Sequence, residues 1–208
     1  MKNVHRILVL LLAAMFCQAA FGQTIVGSEH DFSNKNWNNT GEICVVCHTP
    51  HHADLTVADA PLWNHEVTAS TFTLYSSATF DGSSSIGQPD GASKLCLSCH
   101  DGTVAVENFG GTNNGNNYVG GNKMLGTDLS DDHPISFTYN SALATTDGGL
   151  FDPANTNSGL GGTIQDDMLF SDKLQCASCH DVHNGSGLSK LLVINNNASA
   201  LCLTCHDK

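Results

Sequence analysis

Cations are scarce in this chain: one Arg and seven Lys stand against twenty Asp and Glu in 208 residues. Phosphate backbones and anionic headgroups are recognised through clustered positive charge, so a nucleic-acid or membrane-surface role is excluded. Long apolar runs are lacking too. The longest, residues 7–16, is far short of the roughly 20 residues needed to cross a bilayer. It follows Lys2 and Arg6 and ends near the small residues Ala20 and Gly22, which makes residues 1–22 a cleaved signal peptide and the mature chain, 23–208, an exported and soluble one. Cys17 lies inside this leader. Phe16 precedes it where a lipid-attachment signal wants a small residue, so Cys17 is read as discarded rather than as an anchor. Without the leader, six Lys and no Arg oppose all twenty acids, a net charge of −14.

Aliphatic core formers are also thin on the ground. The apolar fraction of 40% includes the cysteines and the leader, and the remainder is dominated by Gly, Asn, Ser, Thr and Asp. Something other than aliphatic side chains is expected to fill the interior. Acidic clusters such as Asp128 with Asp131 and Asp132, or Asp166 with Asp167, are read as solvated loops.

What is abundant is paired cysteine. Beyond Cys17, eight cysteines form four pairs, each followed at once by histidine: Cys44, Cys47 and His48; Cys96, Cys99 and His100; Cys176, Cys179 and His180; Cys202, Cys205 and His206. Positions i, i+3 and i+4 share one face of a helical turn. Two thiols can then add to porphyrin vinyl groups while the next residue offers its imidazole to the iron. Disulfides or zinc would also use paired cysteines, but neither explains the histidines. With eleven His in 208 residues, four chance placements have a probability of about 1 in 130,000. The expected cofactor is therefore four covalently bound haem c. At that density the macrocycles become the core, and the chain without them is expected to be largely unfolded.

An iron that only passes electrons is best closed on both faces. The mature chain offers His30, His51, His52, His65, His133 and His183 as second ligands for four irons, with Met124 and Met168 as weaker alternatives better suited to packing. His51 and His183 each follow a proximal histidine by three residues. Such a span reaches at most about 10 Å, too short to round the macrocycle, so each serves a different haem or none.

The motifs are of two kinds. The first and third carry the extra histidine, whereas the second and fourth follow a leucine and continue into aspartate (Leu95 to Asp101, Leu201 to Asp207), an A, B, A, B order. This suggests a duplicated two-haem unit with halves near 23–110 and 131–208, joined by the Gly- and Asn-rich stretch 108–121 as a linker or a loop over haem edges. Neither 67–80 nor 148–162 shows helical or strand periodicity. The expected fold is coil-rich, with short helices around the CXXCH motifs and the haems as core.

Longer strings carry a resemblance. Ser28-Glu29-His30-Asp31-Phe32-Ser33, then Glu42 through His51, then Pro61-Leu62-Trp63-Asn64, with Cys99-His100-Asp101-Gly102, Asp132-His133-Pro134-Ile135 and Cys179 through His183, resemble the doubled-CXXCH family of exported cytochromes. Four haems and this size are similar to the filament-forming tetrahaem cytochromes of metal-reducing bacteria. The resemblance implies bis-histidine ligation at every haem, with His30, His133 and His183 serving their own subunit. It also implies a head-to-tail polymer in which His51 ligates a neighbour's haem, carrying electrons outside the cell to external acceptors, with no catalytic site. His52 and His65 depart from the pattern and are read as non-ligands. A discrete periplasmic tetrahaem shuttle remains the alternative. A multihaem reductase, the third reading, would show a haem lacking a strong distal ligand or an altered attachment motif, and the sequence shows neither signature.

Overall fold

The computed structural model describes residues 25–207; the leader reading at 1–22 and Cys17 lie outside the described residues. Most of the described chain is turn and coil, as the composition implied. Its regular elements are four short α-helices, α1 (Gly91–His100), α2 (Ser141–Asp147), α3 (Ile164–Met168) and α4 (Ala200–Cys205), several single 3-10 turns, and one antiparallel pair of two-residue strands, β1 (Phe137–Thr138) with β2 (Lys173–Leu174).

The two kinds of motif fold differently. The A-type motifs are 3-10 turns, Cys44–Val46 and Cys176–Ser178, while the B-type motifs lie in α1 and α4. The cause is local. Ala, Ser, Lys and Leu lead into the B-type cysteines and sustain a helix, whereas Gly41 precedes the first motif and the extended Gln175 the third, so only one turn forms. Polar N-caps fix where α2 and α3 begin. Asn140 accepts from the Leu143 amide at the start of α2, which ends on Gly148 at φ 68°, and Thr163 with Asp166 forms a capping box on α3.

Among the described residues two apolar clusters form, and Val46, Val57, Leu95, Val104, Ala105 and Val106 are buried outside them. The larger gathers Phe137, Tyr139, Ala144, Ile164, Met168, Leu174, Leu201 and Cys205, with Phe80 and Ile86 packed against it from the first half of the chain. The smaller holds only Phe72, Leu97 and Leu129. The stretch 108–117, part of the Gly- and Asn-rich segment, is tied down by hydrogen bonds. It doubles back, so that the Glu107 carboxylate accepts from the amides of Asn116 and Asn117, Asn108 Oδ1 from Gly115, and the Asn117 carbonyl from Val106.

The second and third motifs meet across a buried polar seam. Ser93 Oγ on α1 accepts from the Cys176 amide at 3.0 Å, and Gln175 Oε1 accepts from Ser93 N and Ser136 Oγ. Gln175 Nε2 then donates to Asp90, which also pairs with Lys173. Ser93 and Ser178 are wholly buried and Gln175 nearly so, yet each has its partners, which is what allows polar groups inside. Gly91 opens α1 at φ +46°, with Gln175 Nε2 only 3.3 Å from where a Cβ would sit, so a side chain there would press on the seam.

Candidate functional site

All eight described cysteines are free thiols. Burial pushes the second thiol of each pair up, Cys47, Cys179 and Cys205 to about 11 and Cys99 to about 12, so these sulfurs are held as neutral thiols. Cys96 and Cys176 hydrogen-bond to each other, and together with burial this bond raises the Cys96 thiol. The second and third attachment turns therefore abut. Among the described residues, no group of three or more His, Cys, Asp and Glu is placed to hold a metal ion.

The histidines give the sharpest test of fit. Metal–imidazole bonds of about 2.0 Å, with each ring centre about 1.1 Å behind its nitrogen, would put two imidazoles on one iron roughly 6.2 Å apart, centre to centre. Three proximal histidines have a second ring at that spacing: His48 with His183 at 6.1 Å, His30 with His100 at 6.2 Å and His133 with His206 at 6.4 Å. The rings of His48 and His183 are nearly parallel, at 14°, and the other pairs are turned by 50° and 74°. Among the described residues His180 is in no such pair, and it alone of the four proximal histidines is classed as exposed.

Ring orientation is set from behind. His48 Nδ1 lies 2.6 Å from the Pro61 carbonyl, His100 Nδ1 2.7 Å from that of Lys123, His180 Nδ1 2.9 Å from that of Lys190, and His133 Nδ1 2.9 Å from that of Pro134. A carbonyl takes the Nδ1 proton and leaves the Nε2 lone pair free, the arrangement that metal-ligating histidines use. His30 is held neutral by a different route. Burial, and then the neighbouring His100, push it down to about 4, and its Nδ1 is buried without a partner. Glu29, the chain neighbour of His30, and Lys123, whose carbonyl meets His100, form an ion pair beside this site.

The remaining histidines divide by environment. His65 is 2% exposed, with Nδ1 2.8 Å from the Glu66 carbonyl and Nε2 3.1 Å from that of Ala105, and its Nε2 lies 3.5 Å from Cys99 Sγ of the second motif. His51 and His52 are both exposed and, with Trp63, Glu66 and Asn108, line a cavity of about 660 Å³. Met124 and Met168 differ as well: Met168 is buried in the larger cluster, and Met124 lies half exposed against Gly102 beside the second motif. Several of the exposed large apolar residues sit beside proximal histidines or their carbonyl partners, among them Leu62, Leu125, Val182 and Leu203. Apolar surface left open at those points is what a macrocycle would cover. Cysteine pairs, free Nε2 lone pairs and this surface together fit haem c.

Sequence reasoning missed the seam of Ser93, Ser136, Ser178 and Gln175 that joins the second motif to the third; Gln175, directly before Cys176, was the one available signal.

No curated protein matches the chain. Residues 169–208, which hold the third and fourth motifs, match the family model described as the doubled CXXCH motif, and this match supports a multihaem c-type cytochrome that binds haem c covalently and transfers electrons.

Proposed function

We propose that the chain carries four bis-histidine haem c groups and is the subunit of an extracellular conductive filament that delivers electrons to external acceptors. Bound haem c supplies a one-electron Fe(III)/Fe(II) couple. The protein's part is to attach through eight thiols, to close each iron with a second imidazole and to hold the sites close together. His30, His183 and His133 serve His100, His48 and His206, supported by ring spacings of 6.1–6.4 Å.

The observation that carries the filament is the odd one out. His180 is exposed and has no partner ring at that spacing among the described residues, while His51 is exposed on the rim of a cavity. His51 of one subunit therefore ligates the iron held by His180 of the next. Donor and acceptor are different surfaces, so the contact is heterologous and repeats without closing. Leu55, 81% exposed, and Leu62, 55% exposed, flank His51 with apolar area for such a contact. A discrete periplasmic shuttle would instead have to supply the fourth ligand from within one chain.

Electron microscopy of the secreted fraction tests the proposal. Filaments with four haems per repeat are expected; a monodisperse monomer with every iron six-coordinate would replace the filament by the shuttle.

A further inference from the structure

Four of the ring nitrogens described above face uncharged backbone carbonyls, those of Pro61, Lys123, Lys190 and Pro134. His183 is different. Its Nδ1 lies 3.6 Å from Asp181 Oδ1, a carboxylate in the same turn. That carboxylate is fixed: Oδ1 accepts from the His183 amide at 2.9 Å and Oδ2 from the Gly185 amide at 2.7 Å, while the Asp181 amide donates to Leu191 O and its carbonyl accepts from Asn184. Asp181 thus builds the turn that presents His183 nearly parallel to His48. The corresponding place in the first motif holds Thr49, whose hydroxyl donates to the His51 carbonyl and accepts from the His51 amide, a turn of similar kind without charge.

We infer that Asp181 is a positioning residue that makes the centre between His48 and His183 the most reducing of the four. At 3.6 Å the carboxylate is too far to hydrogen-bond the ring and acts on it as a nearby negative charge, which makes the imidazole a stronger donor through its other nitrogen. A stronger donor stabilises Fe(III) over Fe(II) and moves the reduction potential negative. The inference rests on the reading that His183 is the second ligand opposite His48.

Spectropotentiometric titration of the haem-loaded protein tests it. Asp181→Asn keeps an acceptor for the His183 amide and removes the charge; Asp181→Ser copies the neutral turn of Thr49. In both variants of the assembled filament, all four irons should stay low-spin and the lowest of the four midpoints should move positive; a shift confined to a higher midpoint overturns the inference. Four unmoved midpoints overturn the inference, and so does a high-spin iron in both variants, which would leave Asp181 a turn-former only. His183→Ala separates the underlying reading: one high-spin iron is expected, and four low-spin irons would show that His183 is not a ligand and remove the basis of the inference.

Discussion

Made in a host without the machinery for haem attachment, the chain should be largely unfolded, with a coil-like far-UV spectrum, no cooperative melting transition and rapid digestion by protease. The reason is the size of the core. Two small clusters, with Val46, Val57, Leu95, Val104, Ala105 and Val106 buried outside them, must order a described chain that is mostly coil, and Val26, Leu55 and Leu62 remain 55–81% exposed. Ordering a residue costs about 1.5 kcal/mol, and burial returns about 25 cal/mol per Å² of apolar surface. So little apolar packing leaves the haem-free chain without the about 5–15 kcal/mol that keeps ordinary domains folded. Covalent haem adds apolar surface at each of the four turns, and ligand binding then becomes folding free energy, as it does for structural metals. A haem-free chain with a sharp melting transition would show instead that the polar seam around Gln175 and the cluster around Tyr139 suffice.

His51→Ala should abolish polymerisation and leave one haem per subunit five-coordinate and high-spin, with the other three unchanged. Both effects share one cause, because in the proposed contact the imidazole that closes the exposed His180 site is also the bond between subunits. At fixed concentration more than about tenfold loss of polymer is expected, equivalent to more than about 1.4 kcal/mol of contact energy. His52→Ala is the control. His52 is exposed on the same cavity wall, at φ +59°, and was read as a non-ligand. Filaments unchanged in the His51 variant and lost in the His52 variant would transfer the role to the neighbour; filaments unchanged in both would remove the inter-subunit ligand altogether.

The attachment chemistry was legible because it is local: two thiols and an imidazole within one turn need only positions i, i+3 and i+4. The coil-rich fold was legible from Gly, Asn and Ser for a related reason, since few stretches had residues able to sustain a helix. Even the A, B order had a local cause, which shows as 3-10 turns at Cys44–Val46 and Cys176–Ser178 and as helix at α1 and α4. Pairings over long sequence separations were not legible. Nothing around Ser93 marks Gln175 as its partner, because a single buried hydrogen bond between distant residues leaves no periodicity. His65 was set apart from the ligands by the family pattern alone; the carbonyls of Glu66 and Ala105 that meet its ring are brought there only by the fold. The ring pairs His48 with His183, His30 with His100 and His133 with His206 are likewise products of the tertiary fold.

The central claim is that four haems are covalently held by one chain, and the intact mass of the purified mature protein under denaturing conditions tests it most directly. The account predicts the mass of residues 23–208 plus four haem increments, resistant to acid–acetone extraction. A mass with fewer increments, or haem that extracts freely, would contradict it.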